Sequence, residues 1–244
     1  MSKARGYRTT GQSTLFGAEE VVGFGDGARW VNCIPKPEAD AFIRAHHYSG
    51  SVVWSSSVHL GVFAAGALVG VLQLGVAMNP ASGASVVVDT KPDQWLELNR
   101  MALVNAPPQT ASWAIGFAVK YLRRARPRVA WIQSFADERC GKWGGVYQAA
   151  SFLYCGSHVA TFYELDGEWF HKSCINRPRI DKRGWGCGPK ITRFLDNQER
   201  AVPHQFRQFR YVRPLKSWAR RGLLFPVLPY PKPNSSLAPT TPLL

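Results

Sequence analysis

The longest apolar run of the chain extends from Val58 to Val76, with the sequence VHLGVFAAGALVGVLQLGV. A run of this length raises the question of a membrane-spanning helix, which needs about 20 apolar residues. Glycines interrupt it at short intervals, at Gly61, Gly66, Gly70 and Gly75. Because β-rich halves flank a central Ala-Ala-Gly-Ala, the run instead predicts a buried hairpin with strands over 57–64 and 68–75. We therefore expect no membrane partner.

Hydrophobic periodicity and turn signals divide the rest of the chain into short elements. Strands are predicted at 29–34, 95–104, 128–135, 159–165 and 168–172. Helices are predicted at 37–46, 112–124 and 144–153. Because helices alternate with strands in the second half, part of the sheet should be parallel. The predicted fold class is α/β, with a mixed, partly parallel central sheet flanked by helices.

Four segments follow from composition. Residues 1–28 are rich in Gly and Ser and are predicted to form an irregular N-terminal arm. Residues 29–172 form the α/β domain, which should carry the chemistry. Residues 173–225 form a basic extension packed on that domain, and residues 226–244 form an extended Pro-rich tail.

Charge indicates the partner. The chain has 30 Lys and Arg residues against 16 Asp and Glu, a formal net charge of +14, and such a surplus attracts polyanions. Aromatic residues interleave with the basic ones in the extension, and they offer planes on which unstacked bases lie. A solvated basic face is the alternative interpretation. We predict double-stranded DNA as the partner, contacted by Arg177, Arg179, Lys182, Arg183, Arg207, Arg210 and Arg213.

The five cysteines form no Cys-x-x-Cys pair. A zinc finger or zinc ribbon is therefore not expected. An odd cysteine count without an apolar N-terminal leader suits a reducing cytosol.

The segment after the 95–104 strand opens a helix, where backbone N–H groups can hold an anion such as a pyrophosphate. It resembles the Q/R-x-x-G-x-G/A loop that binds coenzyme A in acetyltransferases of the GNAT superfamily. The residues of this predicted donor loop are Gln109, Thr110, Ala111, Ser112, Trp113 and Ala114. Ser112 replaces the first glycine, which counts against an ordinary acetyltransferase. The stretch from Tyr147 to Gly156 is similar to a second GNAT motif.

Several further segments resemble the Mom DNA-modification family of Mu-like phages. They are His46-His47-Tyr48-Ser49-Gly50, Leu98-Asn99-Arg100-Met101, the predicted donor loop and Ser134-Phe135-Ala136-Asp137-Glu138-Arg139. The resemblance implies a GNAT-like acyltransferase fold. It also implies conversion of adenine in DNA to N6-carbamoylmethyladenine, which protects phage DNA from host restriction enzymes in the host cytoplasm.

The same resemblance implies an iron site made by His47, Tyr48, Asp137 and Tyr147. Imidazole, carboxylate and phenolate groups are together suitable iron ligands. Asp137, Tyr48 and Tyr147 are the expected catalytic residues, with Asp137 either a base or a ligand. Arg100 and Ser112 are expected to contact an anion and position the donor. Without the resemblance, an Asp directly after a strand is more often a helix N-cap.

Three functions stay open at this point. One is the DNA adenine transferase, whose donor is either an acyl-CoA or a glycyl-tRNA. Direct acyl transfer would leave an amide on the base, so simple acetyl transfer does not give a carbamoylmethyl amine. The others are an ordinary acetyl-CoA-dependent N-acetyltransferase and a non-enzymatic DNA-binding protein. An apolar surface on the hairpin leaves a homodimer possible.

Overall fold

β-Strands dominate the computed structural model, which describes residues 7–13, 19–26, 28–175 and 187–232. The strands are β1 (Tyr7–Ser13), β2 (Glu19–Asp26), β3 (Arg29–Cys33), β4 (Ser56–Ala64), β5 (Ala67–Gly75), β6 (Trp95–Leu103), β7 (Trp131–Asp137), β8 (Leu153–Leu165), β9 (Glu168–His171) and β10 (Val202–Pro214). The α-helices are α1 (Lys36–His46), α2 (Thr110–Ala125), α3 (Gly145–Ala149), α4 (Pro189–Asp196) and α5 (Ser217–Arg221).

The described strands form one mixed sheet in the order β1-β2-β3-β4-β5-β6-β7-β10-β8-β9. Strands β2 to β6 follow one another as antiparallel neighbours. Strand β7 is parallel to β6, and Trp95 lies opposite Trp131 in their register. The predicted α/β class with a partly parallel sheet is therefore confirmed.

The apolar run forms the predicted hairpin. Strands β4 and β5 pair from Ser56 opposite Gly75 to Ala64 opposite Ala67. The turn residues Ala65 and Gly66 have φ values of 48° and 83°, as a two-residue turn that matches strand twist requires. Among the described residues, no helix combines the length and the apolar character needed to cross a membrane.

The prediction of an irregular arm over 1–28 is wrong where the structure describes it. Strand β2 pairs with β1 on one side and with β3 on the other. Gly23 and Gly25 interrupt the alternation of side chains that would indicate a strand. They are glycines because residues of the neighbouring strand β3 leave no room for a Cβ atom. A Cβ atom at Gly25 would lie 2.5 Å from the Trp30 ring. The residue types in β2 are therefore determined by the close approach of β3, which hydrophobic periodicity does not reveal.

The basic extension over 173–225 is also more than an appendage, because β10 lies within the central sheet. The Pro-rich tail begins as an ordered segment. The Leu228 N–H donates to the Tyr154 carbonyl at 3.0 Å, and the Tyr230 hydroxyl donates to the Phe152 carbonyl at 2.8 Å. Arg residues interleaved with aromatic residues in β10 also suit DNA contact, so this pattern does not by itself indicate a strand.

The chain divides into two compact units. The first comprises residues 1–134, 145–156 and 211–230, and the second comprises residues 135–144, 157–210 and 231–244. In the first, Trp95 and Trp131 stack with ring centroids 4.7 Å apart within a buried cluster. In the second, Phe170 and Phe194 stack at 4.4 Å inside a separate cluster.

Candidate active site

A cavity of about 550 Å³ opens at the N-terminus of α2 in the first unit. Its lining comes from the end of β6, from the loop before α2, from the first turn of α2 and from α3. Four residues of the predicted donor loop line it: Gln109, Thr110, Ala111 and Ser112. Trp113 instead packs on Phe117, with ring centroids 5.4 Å apart, and Ala114 is buried.

Side-chain hydrogen bonds fix the entry to α2. The Thr110 hydroxyl donates to the Pro107 carbonyl at 2.5 Å, and the Ser112 hydroxyl donates to the Gln109 carbonyl at 3.0 Å. Gln109 adopts the left-handed conformation, with φ 65°. The first-turn N–H groups of a helix lack acceptors within the helix. Here the Thr110 N–H donates to the Pro107 carbonyl outside the helix, at 3.2 Å. The positive end of the α2 dipole still borders the otherwise largely apolar cavity and would favour an anionic group.

Arg100 on β6 is held by backbone carbonyls. Its Nε donates to the Ser51 carbonyl at 2.9 Å, and its Nη1 donates to the Asn99 carbonyl at 2.7 Å. Burial lowers the pKa of Arg100, while the charges of Tyr48 and Glu97 act in the opposite direction. The structure thus brings the predicted residues Arg100 and Tyr48 into one electrostatic neighbourhood. The Tyr48 side chain is exposed.

Tyr147 on α3 packs against Tyr211 and Phe152, with ring centroids 5.3 Å and 5.5 Å away. Burial raises the pKa of Tyr147, the Ser134 hydroxyl opposes this by hydrogen bonding, and the Glu97 charge adds to it. Glu97 therefore acts electrostatically on both Tyr147 and Arg100. Sequence reasoning missed Glu97, because an acid between two apolar residues is ordinary alternation in a strand.

Asp137 ends β7 in the second unit and has a clear local structural role. Its Oδ1 accepts the Arg139 N–H at 3.0 Å and caps the short 3-10 helix that follows. Its Oδ2 forms an ion pair with Arg139 Nη2 at 3.3 Å. Partial burial of the largely exposed His171 ring lowers its pKa, and the Asp137 carboxylate opposes that decrease. Asp137 thus has a cationic partner and a neighbouring imidazole.

The side chains proposed to hold iron do not fit that role as they stand. The Nδ1 of His47 already contacts the Ser49 hydroxyl at 2.8 Å and accepts the Ser49 N–H at 3.1 Å. The Asp137 carboxylate is likewise already engaged, because both of its oxygens contact Arg139. Within the described part of the chain, no group of three or more His, Cys, Asp or Glu residues is placed to hold a metal ion. No chemical step is therefore assigned to iron.

The predicted DNA contacts divide into two sets. Arg177, Arg179, Lys182 and Arg183 lie outside the described residues. The other three arginines have partners within the protein. Arg207 donates two guanidinium hydrogen bonds to Glu138, at 2.8 Å and 2.6 Å. Arg210 lies 5.5 Å from the centre of the Phe135 ring, and Arg213 donates to the Ser151 carbonyl at 2.5 Å.

The Arg207–Glu138 pair gives a pH-dependent prediction. Hydrogen bonding from Arg207 holds the pKa of Glu138 below its ordinary value, so the pair stabilises the fold above the unfolded pKa. That contribution is lost as pH falls through the lowered folded pKa. We expect Arg207→Met to reduce the free energy of unfolding by up to about 1 kcal/mol near neutral pH. The difference from the original chain should vanish in acid.

Urea unfolding at neutral and acidic pH measures this effect. Arg128→Met is the matched control, because Arg128 pairs with Asp93 where both side chains are largely exposed. It should change stability little at either pH. An Arg207→Met effect of the same size at both pH values would show that packing, rather than the ion pair, is responsible.

This α/β chain resembles several solved structures at low sequence identity. It is similar to a solved ribosomal-protein-S5-alanine acetyltransferase from Vibrio fischeri, at 10% identity and a TM-score of 0.47, over 81% of this chain and 98% of that one. It is also similar to a probable GNAT-family acetyltransferase from Chromobacterium violaceum, at 11% identity and a TM-score of 0.44, over 89% and 96% of the two chains.

Sequence similarity is far closer to one protein family. The model of the Mom protein family matches residues 29–232. The chain is also 48% identical over 217 residues to the "Methylcarbamoylase mom" of Escherichia phage Mu, covering 87% of this chain and 88% of that protein. The chain belongs to the Mom protein family, which confirms the resemblance seen in its motifs.

Proposed function

We propose that this chain is a transferase that converts adenine in DNA to N6-carbamoylmethyladenine and so protects phage DNA from host restriction enzymes. The observation that carries the proposal is the 48% identity to the phage Mu methylcarbamoylase over most of both chains. The substrate is double-stranded DNA in the host cytoplasm. The net charge of +14 supports a polyanionic substrate.

The chemistry explains why a positioned carboxylate is useful. The lone pair of the adenine N6 amino group is delocalised into the ring, so the nitrogen is a poor nucleophile, and the base has to leave the helical stack to react. We assign Asp137 as the general base that accepts a proton from N6 as the new N6–carbon bond forms. Arg139 orients the Asp137 carboxylate through its N–H and its guanidinium.

The group donor is assigned to the α2 cavity. A pyrophosphate of an acyl-CoA or the phosphate of a glycyl-tRNA end would lie against the first turn of α2. Ser112 positions the donor and Arg100 contacts its anionic part. Tyr48 and Tyr147 are the further proposed catalytic residues of the first unit. Acyl transfer from the carbonyl carbon would give an amide, so the bond to N6 forms at the methylene carbon of the donor. With a glycyl-tRNA donor the step balances. N6 displaces the glycyl amino group from the methylene carbon, the released nitrogen replaces the tRNA oxygen at the carbonyl carbon, and the proton taken from N6 leaves with the tRNA hydroxyl.

Filling the cavity tests the donor assignment. We expect Ala111→Trp, a change in the cavity lining, to weaken donor binding by at least about tenfold, since a bulky ring would exclude the donor from the pocket. Isothermal titration with acetyl-CoA and with glycyl-tRNA measures the effect and identifies the donor. Gly116→Ala on the same helix is the control, because an added Cβ meets nothing within 4 Å there. Equal donor affinity of Ala111→Trp and the original chain would contradict the assignment.

Nucleoside analysis tests the function itself. The chain is expressed in a bacterial host, and the host DNA is digested and analysed by mass spectrometry. We expect an adenine nucleoside in which a carbamoylmethyl group replaces one N6 hydrogen. Unmodified DNA alongside a folded, DNA-binding protein would favour the non-enzymatic alternative. Acetyl-CoA consumption without DNA would favour an N-acetyltransferase.

Two expected partners, a second copy of the chain and a charged tRNA, have their own tests. Light scattering after gel filtration tests the homodimer through the β4–β5 hairpin. Copurification of charged tRNA tests the tRNA donor.

A further inference from the structure

One face of the sheet in the second unit is lined with rings. The register of β8 with β9 places Phe162 opposite His171 and Glu164 opposite Trp169, so these side chains share a face. On the opposite face, Phe170 stacks on Phe194 of α4. One face of this sheet therefore packs against α4, and the other face carries Phe162, Trp169 and His171.

The second face carries a continuous cluster of rings, here called the ring face. Its members are Phe162, Trp169, His171, His204 and Phe206. Trp169 lies 5.0 Å from His204 and 5.6 Å from Phe206 between ring centroids, and Phe162 lies 5.0 Å from His171. His171 is exposed, Trp169, His204 and Phe206 are half-buried, and Phe162 is buried. Solvent therefore reaches four of the five rings, and Phe162 packs beneath them.

Arg139 connects this layer to the predicted catalytic residue. Its guanidinium carbon lies 4.8 Å from the Phe162 ring centre and 5.3 Å from the Trp169 ring centre. The same guanidinium pairs with the Asp137 carboxylate at 3.3 Å. The Arg139 side chain is only 16% exposed. It therefore links the rings to the carboxylate, while the exposed and half-buried rings offer the stacking surface.

We propose that the ring face binds an unpaired nucleobase by stacking, and that this base is the extruded adenine. The inference rests on the proposed function for the identity of the base. Imidazoles and a guanidinium among the rings favour a flat, polar heterocycle attached to phosphate over an aliphatic protein segment. Since Arg139 contacts both Trp169 and Asp137, a base stacked here lies beside the carboxylate that takes its proton.

Binding to two matched duplexes tests the proposal. In one, a single adenine faces an abasic site and is unpaired. In the other, the adenine base itself is also removed. Fluorescence anisotropy of the intact chain should show tighter binding to the first. We expect Trp169→Ala to lose about tenfold in affinity for the unpaired adenine and to bind the second duplex normally, because stacking on one ring is removed.

Three variants control for folding and position. Trp169→Phe keeps an aromatic plane and should retain most of the preference for unpaired adenine. His204→Ala should also reduce the preference for unpaired adenine. It replaces Trp169→Ala as the test if that variant does not fold. Trp54→Ala removes an exposed tryptophan of the first unit and should bind as the original chain does. An unchanged preference in both Trp169→Ala and His204→Ala, or an equal loss of affinity for both duplexes, would overturn the proposal.

The same variants separate this inference from the proposed function. Suppose that the original chain modifies host DNA and that Trp169→Ala keeps the normal preference for unpaired adenine. The proposed reaction then stands, and the ring face is not the site that binds the base. If host DNA is never modified but the preference depends on Trp169, the nucleobase site stands and the proposed reaction is wrong.

Discussion

Asp137→Asn is expected to reduce the modified adenine in host DNA by at least about 100-fold, the usual contribution of a positioned general base. The amide is nearly isosteric with the carboxylate but does not accept the N6 proton. Asn is also an effective N-cap, so the hydrogen bond to the Arg139 N–H should survive. Loss of activity would then report on the charge rather than on the fold. Mass spectrometry of digested host DNA measures it.

Asp166→Asn is the matched control for this experiment. Asp166 also pairs with an arginine, Arg200, but both side chains are about half exposed. This variant should modify DNA at the level of the original chain. Full activity of Asp137→Asn would mean that Asp137 only caps its 3-10 helix, and the base would have to be sought elsewhere.

Trp131→Ala is expected to cost about 3–5 kcal/mol in the free energy of unfolding. Trp131 is fully buried and stacks on Trp95 with an interplanar angle of 7°. Its indole N–H also donates to the Thr90 hydroxyl at 3.2 Å. The substitution therefore leaves a large cavity, an unstacked Trp95 and a buried hydroxyl without its donor. A loss of this size is comparable with the whole stability of many domains.

Urea unfolding followed by circular dichroism measures the loss. Trp54→Ala is the control, because the Trp54 side chain is 76% exposed and exposed substitutions shift stability by about 0.5 kcal/mol or less. Similar midpoints for the two variants would show that the paired indoles do not form the centre of the first unit's core.

The elements predicted well from sequence are those whose side chains carry their own signal. Helix α1 has apolar residues on one stripe and a proline near its start. The hairpin of β4 and β5 has glycine-marked apolar strands around Ala65 and Gly66. The donor loop was visible because its motif is contiguous. The structure places most of it along the cavity, and its binding of a donor stays a prediction.

The elements that sequence reasoning missed depend on partners distant in the chain. Strand β2 has glycines at positions 23 and 25 because β3 approaches too closely for a Cβ atom there. Strand β10 alternates arginine with aromatic residues, a pattern that also suits nucleic-acid contact. Glu97 had no motif to mark it, and its importance emerges from its electrostatic effect on Arg100 and Tyr147.

Contiguous motifs and local periodicity can be read without a structure, so the amino-acid order alone was enough to predict the family and the α/β class. What the residues of these motifs contact became known from the folded chain. It showed that Asp137 is paired with Arg139, that Tyr147 lies in surroundings that disfavour its phenolate, and that rings from three strands share one face. These properties depend on burial and on distances between segments far apart in the chain, which no local pattern encodes.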